Sequence, residues 1–408
     1  MKKKIVFIII SLYVFSISCT SQSNRIIESK GNSLYVIPQG DKTKNIDGLF
    51  LYSSLYKGIK TILLETDKSC LIGSVSKMRV YDNYILILDR LIAKSLFVFD
   101  KEGHFIRKIG NIGQGPGEFA RPYDFTIDKE NKTIYILDGS LQRINKYDIT
   151  TGTFIHAINL DRRARSHRIE YMGGKLYADA YFQEHSDDNY LLRIIQESSG
   201  MEEGHYLNVM KYHKGISKTL NITNEEAFYL RGNGNIVFVQ PFMDHIIAVN
   251  SDSIFSLVNF KGKDVLTSEE IKRAIKKDDF MYNDELRKLN KYYQLYSFIE
   301  QKNWILIEYF KGVMLQKIFV DKQTNDVSIF EKGMDDLLKK EKGDHSVLTK
   351  VGCYDADGVY FYVTQNSMLQ IQALAKAGVF SPDLDRLEDI KYLEEDANPI
   401  LFYYEFKD

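Results

Sequence analysis

Cysteine is scarce in this chain, with only Cys19, Cys70 and Cys353 among 408 residues. Three thiols cannot build a disulfide scaffold, so the fold must be held by its own core. Cys70 and Cys353 read as two buried free thiols; one bridge between them stays open if their segments adjoin. After the first twenty residues no apolar run is long enough to cross a membrane as a helix. An excess of one charge is missing too. Lys and Arg number 54 against 55 Asp and Glu, with no sustained single-sign block, which removes the electrostatic basis for a nucleic-acid partner. Catalytic signatures are also absent. There is no G-x-S-x-G elbow, H-E-x-x-H helix, paired C-x-x-C, Walker loop or strand–GxGxxG–helix unit. No two of the eight histidines make a close ligand pair on one predicted element, so no metal and no cofactor are predicted from local pattern. A site taking one ligand from each of several sheets would escape such a search.

What the chain has in plenty is Tyr and Phe, 27 and 24 residues, within a hydrophobic content of 44%. These side chains favour the half-buried pleated surface of a sheet. The N-terminus is equally explicit. Lys2, Lys3 and Lys4 precede an apolar run from Ile5 to Ile17, too short for a comfortable span but right for a signal-peptide core. Ser16-Ile17-Ser18-Cys19 resembles a bacterial lipobox, with Ser where Leu is commoner at its first position. Residues 1–18 therefore read as a lipoprotein signal peptide, Cys19 as the lipidated residue, 19–33 as a polar tether and 34–408 as the folded domain. A plain secretory signal cleaved nearby is the alternative. No acidic residue follows Cys19 through Arg25, which leans the expected location to the outer membrane, facing the periplasm.

An internal repeat organises the rest. Tyr84-Ile85-Leu86-Ile87-Leu88-Asp89 and Leu96-Phe97-Val98-Phe99-Asp100 return as Ile134-Tyr135-Ile136-Leu137-Asp138 and Ile144-Asn145-Lys146-Tyr147-Asp148. Asp89 to Asp138 and Phe105 to Phe154 are both 49 residues apart, so strands and turns recur together. Weaker copies follow near 175–195, 235–257, 304–321 and from Gly358. Each unit reads as a small sheet of short strands bounded by Asp, Asn and Gly. Such a sheet exposes two apolar faces, and radial stacking buries both. The expected fold is all-β, a six-bladed β-propeller with short helical insertions; seven blades is the competing count. Ile59–Leu64 precedes the first full unit without a partner, and Ile400–Phe406 ends the chain without one. Both are expected to join one mixed blade that closes the ring.

Two stretches carry helical pattern, at about 265–294 and 368–395. Thr267-Ser268-Glu269-Glu270 fits a capping box before Ile271, Ala274 and Ile275, with Leu286, Leu289 and Tyr293 continuing the spacing. Ser381-Pro382 reads as a cap with a first-turn proline. These insertions shield a propeller face or form a lid over its channel. The segment Gly110 to Glu118 is glycine-rich but lacks the Lys-Ser/Thr of a phosphate loop, and reads as a connector between blades.

Propellers bind at a mouth of the central channel, where loops lead into the innermost strands. Those loops include Ser76-Lys77, Ala120-Arg121-Pro122-Tyr123, His167-Arg168 and Glu225-Glu226. Arg121, Tyr123, His167 and Arg168 are the candidate ligand-binding residues, forming a polar, partly cationic mouth; ordinary surface or inter-blade hydrogen bonding is the rival role. No catalytic residue is identified.

With these segments in view, the chain resembles six-bladed β-propeller lipoproteins of unknown function related to NHL-repeat proteins. The resemblance rests on Phe105-Ile106-Arg107-Lys108-Ile109-Gly110, Gly113-Gln114-Gly115-Pro116-Gly117-Glu118-Phe119, Asp124-Phe125-Thr126-Ile127-Asp128 and Asp396-Ala397-Asn398-Pro399-Ile400-Leu401. It implies fold and envelope location, and no catalytic residue. The expected function is a non-catalytic binding or scaffold module engaging a glycan, peptide or protein partner, touching the membrane only through its lipid. The alternative is a propeller hydrolase or lyase with a metal or polar site in the channel. Three or more His, Asp or Glu side chains converging on the axis would favour the enzyme. A mouth of aromatic and hydrogen-bonding groups would favour binding, and an apolar outer patch would favour a structural part of the envelope.

Overall fold

A computed structural model describes residues 27–28, 33–37, 43–182, 189–212, 226–277, 282–339 and 349–407. The expected signal peptide, Cys19 and most of the expected tether lie outside them.

The strands assemble into a six-bladed β-propeller, each blade an antiparallel meander of four strands. Blade 1 runs from the innermost strand Lys77–Tyr81 through Tyr84–Asp89 and Ser95–Asp100 to Phe105–Ile109. Blade 2 begins at Pro122–Asp128, blade 3 at Ile169–Met172, blade 4 at Phe228–Leu230, blade 5 at Tyr292–Glu300 and blade 6 at Thr349–Tyr354.

Period-two alternation explains why the sheets stack. In Tyr84–Asp89, Ile85 and Ile87 join a core shared with blade 6, while Leu86 and Leu88 join one shared with blade 2. In Thr133–Asp138, Ile134 and Ile136 face blade 1, and Tyr135 and Leu137 face blade 3. All eight are fully buried. A strand apolar at every position must be covered on both sides. Burying each such side chain stabilises by roughly 1.5–3 kcal/mol, so an isolated blade forfeits half of its core.

Ring closure is mixed as the two orphan strands require. Ile400–Phe406 is the third strand of blade 6, and Tyr56–Leu63, from the beginning of the chain, is the fourth, paired antiparallel from Ile400↔Leu63 to Phe406↔Tyr56. The preceding segment does something the sequence did not announce. Ile27–Glu28 and Tyr35–Ile37 add in parallel to the outer strand of blade 4, and Thr43–Leu51 adds in parallel to that of blade 5. This strap covers two outer edges, which unpaired would invite intermolecular pairing.

The recurring Asp has a defined task. Asp89, Asp138 and Asp179 each end the second strand of a blade, fully buried. Each grips the loop leading into its own blade. Asp89 accepts the Gly73 and Ser74 N–H groups at 2.8 and 3.0 Å, Asp138 that of Ala120 at 2.7 Å, and Asp179 those of His167 and Arg168 at 2.6 and 2.9 Å. The glycine-rich segment is a pinned connector, its Gly115 and Glu118 carbonyls taking the Arg143 guanidinium and its Gly117 carbonyl the Tyr147 hydroxyl.

The first insertion is helical over Ser268–Lys277 and Tyr282–Arg287. The capping box forms, with Thr267 N–H donating to Glu270 at 2.8 Å and Glu270 N–H to the Thr267 hydroxyl at 3.3 Å. The helical pattern overreaches at its end. Asn290 takes a positive φ of 51° that stops the helix, leaving Leu289 exposed and Tyr293 inside the first strand of blade 5. In the second stretch helices occupy Met368–Lys376 and Leu387–Lys391. Ser381-Pro382 starts no helix; it sits in a turn where Leu384 N–H bonds the Ser381 carbonyl, and the helix waits until Leu387. No described helix is long and apolar enough to cross a membrane. Cys70 and Cys353 are both free and buried, and burial pushes the Cys353 thiol up to about 12.

Candidate functional site

The innermost strands bring charge to the axis. In Lys77–Tyr81 the alternation that sends Met78 and Val80 into the blade 6 interface leaves Lys77 and Arg79 on the other face. Lys77 Nζ lies 3.0 Å from Asp124 of blade 2, 3.8 Å from Glu170 of blade 3 and 3.6 Å from Glu226, just before blade 4. Arg79 pairs with Glu170 at 2.8 Å and Glu226 at 3.4 Å. Thr126 donates its hydroxyl to Glu170, and Ile169 N–H bonds Asp124 at 2.8 Å. Burial favours neutral Glu170, yet Arg79 and Lys77 hold its carboxyl below the usual range. Burial likewise opposes charge on Arg79, and Glu226 and Glu170 overcome it.

Tyr354 of blade 6 completes the partition, giving its hydroxyl to the Leu230 carbonyl of blade 4 and receiving Glu300 N–H of blade 5 at 3.4 Å. All six blades thus contribute to one septum across the channel. Arg79, Leu230 and Tyr354 line a cavity on each side of it. The cavity toward the inlet loops is small, about 110 Å³, and includes Lys77, Glu226, Ser297 and Cys353. That on the opposite face, where hairpins join first and second strands, is about 810 Å³. Its wall carries Arg231, bonded twice to Glu300 at 2.6 and 3.0 Å, and Lys322 on the same carboxylate at 2.8 Å. Tyr171 lines it too, stacked on Tyr135 at 5.4 Å and 11°. Its rim includes the turns Gly173-Gly174 and Gly232-Asn233-Gly234. Neither pair of inserted helices lines either cavity.

Three carboxylates therefore do converge on the axis, but two cations stand among them. Lys77 and Arg79 fill the place a divalent ion would need, and among the described residues no group of three or more His, Cys, Asp or Glu is arranged to hold a metal.

Arg121, His167 and Arg168 lie in the inlet loops of blades 2 and 3 and Tyr123 at the start of the first strand of blade 2, and none lines either cavity. Arg121 is exposed. Tyr123 meets the His167 ring at 5.4 Å, and His167 stacks on Tyr181 at 4.8 Å. Burial, reinforced by Arg168, Arg165 and Arg90, pushes His167 down to about 4, so it is neutral at pH 7. Arg168 is buried, 3% exposed, and gives its guanidinium to the His167 carbonyl at 2.8 Å. Three of the four form one cluster; Arg121 stands apart in solvent.

A family model described as a domain of unknown function, DUF4934, matches residues 34–405. A crystal structure of a protein described as a candidate for export, from Bacteroides fragilis, superposes with a TM-score of 0.68 at 19% identity, covering 90% of this chain and 99% of that one. A DUF4221 family member from Bacteroides vulgatus gives 0.48 at 10% identity, covering 86% and 97%. No curated protein matches the chain.

Proposed function

The chain belongs to the DUF4934 family of unknown function, and on that footing we propose that it is a binding module of the bacterial envelope, anchored by lipid at Cys19 and facing the periplasm, which takes its ligand in the wide hairpin-face cavity. The observation that carries this reading is the septum. A channel blocked at mid-depth by side-chain and main-chain groups from all six blades is no conduit, and its wider side is a blind cup of about 810 Å³, within the size range of small-molecule sites. The buried carboxylates of the cup, Glu170 and Glu300, are each paired with a cation, which suits recognition better than proton transfer, because catalytic acids and bases need groups free to change protonation.

Two measurements test it. Cys19→Ala should move the protein from the membrane fraction to the soluble fraction and abolish incorporation of a fatty-acid label; retention of both overturns the anchor. Lys302→Trp places a bulky ring on an exposed residue of the cup wall. A fractionated envelope extract should raise the melting temperature of the unaltered protein by about 2 °C or more and leave Lys302→Trp unmoved. Equal shifts in both would remove the ligand from the cup.

A further inference from the structure

We infer that the ligand of the hairpin-face cup is an uncharged, polyhydroxylated chain, a neutral oligosaccharide; this rests on the cup being the binding site. The argument begins with the state of its charges. Glu300 is 2% exposed and already receives Arg231 twice and Lys322 once. Glu170, equally buried, receives Arg79 at 2.8 Å. Asp128 takes the Glu130 and Asn131 N–H groups at 3.1 Å and the Asn131 amide at 2.7 Å. With each of these buried carboxylates already hydrogen-bonded, a ligand bearing net charge would break one of these contacts or leave its own charge uncompensated in a partly desolvated cup, and both are costly. An apolar ligand would strip water from these same ions and return nothing.

A hydroxyl escapes both penalties. Carboxylates only accept and guanidinium or ammonium groups only donate, and each has more sites than its partner uses: a guanidinium has five N–H donors and a carboxylate about four lone-pair sites. A hydroxyl donates and accepts at once, so a ring of them can bridge from Glu300 to Arg231 or Lys322 without displacing either, and hydrogen bonds to ionised groups are the strong kind. Tyr171, held in plane against Tyr135, offers an aromatic surface for the C–H face of a sugar ring. The rim leaves room for a chain to pass, since a side chain built at Gly173, Gly174 or Gly234 would meet nothing within 4 Å.

The test is calorimetric titration of the full-length protein. The probes are neutral tetrasaccharides of glucose, mannose, galactose and N-acetylglucosamine, and uronic-acid and sulfated tetrasaccharides of matching linkage. At least one neutral compound should bind, with affinity at least tenfold weaker in Lys302→Trp and unchanged in Arg121→Ala on the opposite face. Binding of charged members alone, lost in Lys302→Trp, would overturn the neutral class while keeping the cup as the site. Binding indifferent to Lys302→Trp, or lost in Arg121→Ala, would overturn both. If no member of the panel binds, the sugar assignment falls, and the melting shift with envelope extract then decides the cup by itself.

Discussion

A chain ending at Ala397 is expected to lose its cooperative thermal transition altogether. The deletion removes Ile400–Phe406, which is the partner of Gly358–Val363 on one side and of Tyr56–Leu63 on the other. Blade 6 would keep two strands, and its fourth strand would be cut off from the ring. Ile400, Leu401, Phe402, Tyr404 and Phe406 are all buried. At about 1.5–3 kcal/mol for each large apolar side chain, their loss alone amounts to roughly 7–15 kcal/mol, the whole of a typical domain's stability. The damage is not confined to one blade. Leu401 packs in the core between blades 6 and 1, and Phe402 in the core between blades 5 and 6, so an open ring exposes two interfaces. Should the shortened protein fail to accumulate, Phe402→Ala gives a graded version, destabilising by about 3–5 kcal/mol in a denaturant titration. A shortened chain that melts cooperatively near the original temperature would mean that blade 6 does not hold the circle closed.

Closure was legible because Ile400–Phe406 is strongly apolar and each end strand lacks a neighbour in sequence. The same logic made the ring legible. Ile85 and Leu86, adjacent and both fully buried, demand cover on opposite faces, and the 49-residue recurrence says that the cover is another copy. The strap was not legible for the opposite reason. Thr43–Leu51 reads Thr-Lys-Asn-Ile-Asp-Gly before its apolar end, and most of it is half-buried or exposed. It is held by main-chain hydrogen bonds in parallel register, which any polar sequence can supply.

The septum escaped notice for a subtler reason. Lys77-Met78-Arg79-Val80 has the alternation of a strand with one wet face, and in most sheets Lys77 and Arg79 would meet solvent. In an innermost strand the wet face is the channel, where five neighbouring strands converge on it. The signal was there, since Asp124, Thr126 and Asp128 alternate in the same way in blade 2 and Glu170 sits in the short first strand of blade 3. The candidate residues Arg121 and His167 stand three positions before Asp124 and Glu170, in the loops and not on the channel face of the strands. Complementary charge at matched depth in successive first strands is the pattern that separates a sealed channel from an open one.

Lys77→Met should be the most damaging single substitution at the axis. The five groups Lys77, Arg79, Asp124, Glu170 and Glu226 sum to 2 − 3 = −1. Removing Lys77 leaves one cation among three carboxylates, a sum of −2, and Asp124 has then lost the ammonium 3.0 Å away. Its side chain is 1% exposed, so water cannot take over. Deleting one partner of a buried pair costs about 3–5 kcal/mol, because the other is left charged and unpaired. Methionine keeps the length of the stem, so the loss reports charge and not a cavity. Adding Asp124→Asn to Lys77→Met restores the sum to −1 and keeps a carbonyl oxygen to accept the Ile169 N–H, so the double variant should recover at least half of the loss. Urea titrations with an unchanged slope would measure both. A single variant within about 1 kcal/mol of the parent, or a double variant no better than the single, would show that the septum bears little of the ring's stability.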